Sequence, residues 1–371
     1  MASRANRRRT ARKRSNSMNT KASASAQRRQ IAMSQHVQHS VAPALFANNS
    51  SVFSRFAAVF SRVRAAQQKH QQEAPAQMEK QPEFVEPTVE SALHKSCNGH
   101  RLISYDDLPA PWRATPLITS GYRFIPRERL AALLLSMFAL HNEFLNIHTH
   151  VATFVWTCWN VYPTKDLGET IVFVAVLFCL AASVIGHLMS GCAHQGTMQM
   201  CGRIDYIGIV WLICACNASL VFYGYASYPS IAYPSLGVSL LMAVAGSTLP
   251  MMSWFNAHEY RRWRILFFMS LEVLAITPIA GIWLLFGLQG MKEFLSPFLR
   301  SILLSTLGIV FYSNHLPERF LDPSGKVARA FNSIGLGSHA IWHVLSVLSI
   351  VEWRNALAVV RYSFANRPVA A

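Results

Sequence analysis

The 371 residues are 52% hydrophobic and only 14% charged, a balance that excludes an average soluble domain and suits a membrane protein. The formal net charge of +16 is unevenly placed: fourteen Lys and Arg and no acidic residue precede Glu73, so the charge describes that stretch and little else. No nucleic-acid partner is expected from it, because nothing after the basic stretch supplies a recognition module.

Residues 1–72 are rich in Ser, Ala, Gln and Arg, with Arg7-Arg8-Arg9 followed by Arg12, Lys13 and Arg14, and are expected to form a disordered basic tail. We read the tail as a solvated orientation signal; contact with anionic lipid headgroups and organelle targeting are the alternatives its composition allows. The apolar core of a cleavable secretory signal is not seen in it. Residues 73–127 read as a polar, Pro-containing juxtamembrane segment that carries Tyr105-Asp-Asp-Leu-Pro109 and Gly121-Tyr-Arg123. Residues 128–140 read as an amphipathic helix, too short to span and suited to the interface.

Seven apolar stretches follow inside residues 128–352, at 143–161, 170–191, 204–226, 236–255, 265–286, 298–311 and 335–351. The expected fold class is therefore all-α, a seven-transmembrane helix bundle, with residues 353–371 as a short C-terminal tail. The first and sixth stretches fall short of the roughly 20 residues a helical crossing needs. Pro250 and Pro278 can kink their helices, which membranes tolerate. Arg203, Arg261, Arg262, Arg264, Arg319, Lys326 and Arg329 fall on one side, against Lys165, Lys292 and Arg300 on the other. That bias predicts a cytoplasmic N-terminus for an integral, multi-pass protein of the plasma membrane or an internal membrane. It is opposite to the orientation of G-protein-coupled receptors and counts against that class.

The seven cysteines are odd in number and show no framework, so free thiols are expected. Cys192, His194 and Cys201 share one connection; C-x-H is a weak metal signal, and ordinary loop residues are the preferred reading.

An alternating path brings the polar residues to one end of the bundle. His187 lies near the end of the second stretch, Asp205 at the start of the third, and His339 and His343 at the start of the last; Glu143, Asn146, His148 and His150 open the first. Ionisable groups at membrane depth are costly and usually functional. His339 and His343 stand one turn apart on one helical face. With His187 they supply three imidazoles, a set that suits Zn2+ with an open position for water. Asp205 is placed to orient that water and act as general base, or instead to cap the third helix. Ser183, one turn from His187, orients a ligand, binds a substrate oxygen or merely packs. Glu143 and Asn146 tie the first helix to the site or cap it. Glu272, inside the fifth stretch, has no assigned role.

The ordered set Tyr105-Asp-Asp-Leu-Pro109, Gly121-Tyr-Arg123, His141-Asn-Glu-Phe-Leu-Asn-Ile-His-Thr-His150, Ser183-x-x-x-His187 with Asp205-Tyr206, Pro317-Glu-Arg-Phe320 and Ser338-His-Ala-Ile-Trp-His343 resembles the progestin and adipoQ receptor family. That family includes the adiponectin receptors and is related to the haemolysin III proteins. The resemblance covers roughly residues 104–351. The alkaline ceramidases share a looser version; Pro317–Phe320 and the segment before the first helix point to the receptor branch. The resemblance implies seven helices, a cytoplasmic N-terminus, and zinc on His187, His339 and His343 with Asp205 contacting its water. It also implies a membrane receptor, with lipid amide hydrolysis, especially of ceramide, assigned to some members. The long basic tail, His148, His194 and Asp322-Pro-Ser-Gly325 depart from the pattern.

Two functions follow. One is a receptor for an unknown extracellular agonist or a lipid signal; the other is a zinc-dependent hydrolase of a ceramide-like membrane lipid. They are compatible if the product is the signal. A receptor with a purely structural zinc is the third reading. Pore formation is disfavoured, since no repeated charged stripe lines the helices.

Overall fold

A computed structural model describes residues 86–160 and 166–364. The basic tail, and every reading placed on it, lies outside the described residues. The described chain is helical: α1 (Val89–Lys95), α2 (Leu130–Leu135), α3 (Phe144–Asn160), α4 (Leu167–Met189), α5 (Gln195–Gly224), α6 (Pro229–Gly246), α7 (Arg261–Val273), α8 (Ile276–Leu295), α9 (Leu299–Asn314), α10 (Lys326–Ile334) and α11 (Ser338–Ser363). Among the described residues, five helical stretches are long and apolar enough to cross a membrane; one of them, Arg261–Phe320, contains both α7–α8 and α9.

Side-chain contacts fix the path. Gly186 meets Asp205 and Gly168 meets Tyr223, so α4 and α5 run antiparallel. Gly246 meets Val210, which turns α6 back along α5. Arg264 lies over Tyr206 and Ile282 packs on Gly224, so α7–α8 run parallel to α5. Ser301 bonds Ser349 at 2.9 Å and Tyr312 faces His339, making α9 and α11 antiparallel. The alternation expected from hydropathy is therefore realised as seven rods: α3, α4, α5, α6, α7–α8, α9 and α11. Large apolar side chains such as Trp159, Leu241, Leu284 and Leu303 point outward, as lipid-facing residues do.

The rods differ from the expected stretches in three instructive ways. The third helix starts at Gln195, nine residues before the expected 204, because its first turns are polar and carry no hydropathy signal. The fifth stretch is two helices. Pro278 has no N–H for the Leu274 carbonyl, and the chain breaks at residues 274–275. Gly287, at φ +69°, then ends the regular helix just after Phe286. The last helix continues to Ser363, well past 351. Its extra turns carry Arg354 and Arg361, which reach Glu169 of α4 at 3.5 and 3.3 Å. Paired with a carboxylate, these cations sit at the far end of the bundle without a hydropathy signal.

Ahead of α3, residues 86–129 fold into a small cap. Ala92, Ile103, Leu108, Trp112, Tyr122 and Phe124 form its core. Lys95 pairs with Asp107, and the Ser104 hydroxyl donates to the same carboxylate. The expected interfacial helix is a short α2 between two 3-10 turns; Leu133 is buried while Leu130, Leu134, Leu135 and Phe138 are exposed.

Candidate metal centre

α4, α5 and α11 bring His187, Asp205, His339 and His343 together at the end of the bundle that faces the cap. The ring nitrogens of His187, His339 and His343 offer ligand atoms that all lie within 4.8 Å of one another, so these three side chains can hold one metal ion. His187 Nε2 and His339 Nε2 stand 3.2 Å apart. His343 is 3% exposed.

The other ring nitrogens are anchored. His187 Nδ1 lies 2.8 Å from Glu143 Oε2, and the Asn146 amide donates to the same oxygen at 2.7 Å. His343 Nδ1 lies 3.2 Å from the Asn146 carbonyl. Glu143 and Asn146 thus form a polar network that ties α3 to the histidines. Such anchoring fixes ring orientation and tautomer, as carboxylates and carbonyls do behind metal-bound histidines.

Asp205 is the eleventh residue of α5, and His194 caps that helix by accepting from the Thr197 N–H. The capping reading of Asp205 is therefore corrected. Its Oδ2 lies 3.9 Å from His187 Nε2, too long for a direct hydrogen bond. Gly186 permits this approach, since a Cβ there would stand 3.0 Å from Asp205 Cβ. Ser183 is buried one turn before His187 on α4, the helix that meets Asp205 at Gly186. Cys192 is fully buried and His194 is spent on its cap; neither joins the metal-competent cluster among the described residues. Glu272 sits apart from the site and accepts from Ser305 of α9 at 3.4 Å.

Three residues named in the sequence without a role of their own contribute to the site. His150 stacks on His343, with centroids 3.9 Å apart and planes 15° from parallel; its position one turn after Asn146 was the available signal. Arg123, almost fully buried, donates to the His187 carbonyl at 2.9 Å and to Ser136 Oγ at 2.6 Å. Glu318, in the Pro-Glu-Arg-Phe motif, accepts from the Ser338 N–H at 2.8 Å and from its hydroxyl at 2.5 Å. A carboxylate at the start of α11 meets the exposed N–H groups and the positive end of the dipole, one residue before His339. Glu318→Ala is expected to cost about 1–2 kcal/mol, the value of a strong N-terminal cap. A lowered thermal midpoint in detergent, with Glu318→Gln falling between, is the check; an unchanged midpoint removes the capping role.

Residues 138–353 match the family described as haemolysin-III related. An uncharacterized protein of Schizosaccharomyces pombe is 29% identical over 281 residues, 72% of this chain and 61% of its own length, so the chain spans less than two thirds of that relative. Progestin and adipoQ receptor family member 3 of Mus musculus is 27% identical over 288 residues, 73% of this chain and 89% of its own. Heptahelical transmembrane protein 1 of Arabidopsis thaliana is 29% identical over 284 residues, 70% of this chain and 80% of its own.

Proposed function

The chain belongs to the haemolysin-III-related family, and from that premise we propose that it is a membrane receptor of the progestin and adipoQ type, built around a zinc site on His187, His339 and His343. The observation that carries the proposal is the convergence of three imidazoles from two non-neighbouring helices. Two nitrogens bound to one tetrahedral zinc stand roughly 3.3 Å apart. The 3.2 Å between His187 Nε2 and His339 Nε2 fits that spacing. A histidine-only donor set, anchored by a carboxylate and a carbonyl, suits zinc better than a hard oxygen-seeking cation.

The neighbouring residues support hydrolysis of a lipid amide, ceramide-like in class, as the chemistry coupled to signalling. Zinc held there supplies Lewis-acid polarisation of a carbonyl and activation of water at neutral pH. Glu143 keeps His187 in the tautomer that turns Nε2 inward. Asp205 stands beside the imidazoles but beyond direct hydrogen-bond reach of His187 Nε2. It accepts the proton of the attacking water as general base, and Ser183 steadies its carboxylate. This placement favours an open, reactive site over a purely structural metal. The Lys and Arg bias of the connections supports a cytoplasmic side for the metal end of the bundle.

Metal analysis of the detergent-purified chain, together with ceramide turnover before and after chelation, tests the reading. Near-stoichiometric zinc and chelator-sensitive turnover are expected. Zinc without turnover leaves the receptor with a structural metal, and absence of zinc ends the metal reading.

A further inference from the structure

We infer that residues 119–125 form a strap that positions the metal cluster, and that Arg123 is the positioning residue through which the cap sets where His187 stands; the inference rests on the metal reading above. The strap touches the start of α3, the turn that follows α4 and the segment that leads into α11. Asn142, beside Glu143 at the start of α3, donates its N–H to the Gly121 carbonyl at 3.0 Å. Beyond α4, Ile125 donates to the Gly191 carbonyl at 2.9 Å and accepts from the Ala193 N–H at 2.8 Å. Thr119 hydrogen-bonds the Asn332 side chain and donates to the Pro323 carbonyl, both in the connection that leads into α11. Gly121, at φ +88°, has no room for a side chain: a Cβ would stand 2.9 Å from the Asn332 carbonyl oxygen. The strap is thus wedged between the start of α3 and the approach to α11.

Arg123 reaches from the strap into the bundle and donates to the backbone carbonyl of His187 itself. Arg123 is almost fully buried, and a guanidinium stays charged at neutral pH. One cation therefore bears on the carbonyl of the proposed ligand. A charge taken this far out of water is costly unless its donors are met. Its two terminal nitrogens are met by the helix end that carries His187 and by Ser136, while Nε is buried without a hydrogen-bond partner. A displacement of the cap moves the strap, and the strap moves His187 relative to His339 and His343. The Gly121-Tyr-Arg123 motif, which the proposed chemistry does not use, acquires a role.

The test uses the full-length chain in detergent, loaded with zinc for affinity and with Co2+ for its visible absorption, which reports ligand geometry. Arg123→Ala is expected to weaken zinc binding about tenfold, the usual effect of removing a group that orients a ligand. It is also expected to shift the Co2+ bands, and Arg123→Lys, which keeps the charge, restores part of both. Lys95→Ala, which cuts the exposed ion pair of the same cap, leaves both readings at wild-type values. Wild-type affinity and spectrum in Arg123→Ala, or an equal change in Lys95→Ala, overturns the inference. If Arg123→Ala does not fold, Arg123→Lys and Ser136→Ala carry the test, and two unchanged spectra overturn it. A wild-type chain that binds neither metal fails the metal reading first and takes the strap with it; His339→Ala as the unliganded reference separates the two failures.

Discussion

Replacing His339 with alanine is expected to strip the purified protein of zinc, with at least about a hundredfold loss of affinity, the upper end of what even a group behind the ligands costs. The geometry makes this the cleanest of the three ligand substitutions. His343 is buried and stacked on His150, so its truncation also opens a cavity. His187 is tied to Glu143 and, through its carbonyl, to Arg123, so its loss leaves the half-buried Glu143 carboxylate with the Asn146 amide alone. His339 lies among the rings of Tyr312 and Trp342, which continue to pack the start of α11 when the imidazole is gone, and Glu318 still caps the helix. Metal content by elemental analysis, beside a thermal midpoint of the metal-free forms, separates ligand loss from misfolding. Unchanged zinc in a folded His339→Ala protein removes the residue from the ligand set.

The same residues show how far the sequence could be read. His187, His339 and His343 were legible because a charged or ionisable side chain in an apolar stretch stands out, and an alternating path puts stretch ends together without any knowledge of packing. Phe144–Asn160 and Leu299–Asn314 follow the expected 143–161 and 298–311 closely for the same reason. Hydropathy reports contact with lipid and not the continuation of a helix beyond it. The polar first turns of α5 and the Arg354 and Arg361 turns of α11 were therefore invisible. The former mattered, because a start at 204 made Asp205 a possible cap, whereas a start at 195 carries it into the helix wall beside Gly186. Pairings between distant residues left no local trace. The grip of Arg123 on the His187 carbonyl, the Glu318–Ser338 cap and the His150 stack join residues 64, 20 and 193 positions apart. Pro317-Glu-Arg-Phe320 and Gly121-Tyr-Arg123 were visible as motifs, but only the fold says which backbone groups they serve.

Asp205→Asn is expected to keep the metal and lose hydrolysis, by about 10²–10⁴-fold, the range general acid–base groups contribute. Asparagine preserves the volume that Gly186 accommodates, so the helix contact survives. What it removes is the capacity to take a proton. Since Asp205 Oδ2 is 3.9 Å from His187 Nε2, the carboxylate is not what fixes that ring; Glu143 does so from the other nitrogen at 2.8 Å. Zinc stoichiometry and ceramide turnover measured on one preparation therefore divide the possibilities. Zinc retained with turnover abolished assigns Asp205 to proton transfer. Zinc lost assigns it to the metal's own shell, which the 3.9 Å separation argues against. Zinc retained with full turnover excludes the general-base role and leaves the carboxylate as a polar contact between α4 and α5. Adding Ser183→Ala to each background completes the argument. If Ser183 acts by steadying the carboxylate, its removal slows ceramide turnover in the wild-type background and has little further effect once Asp205 is asparagine.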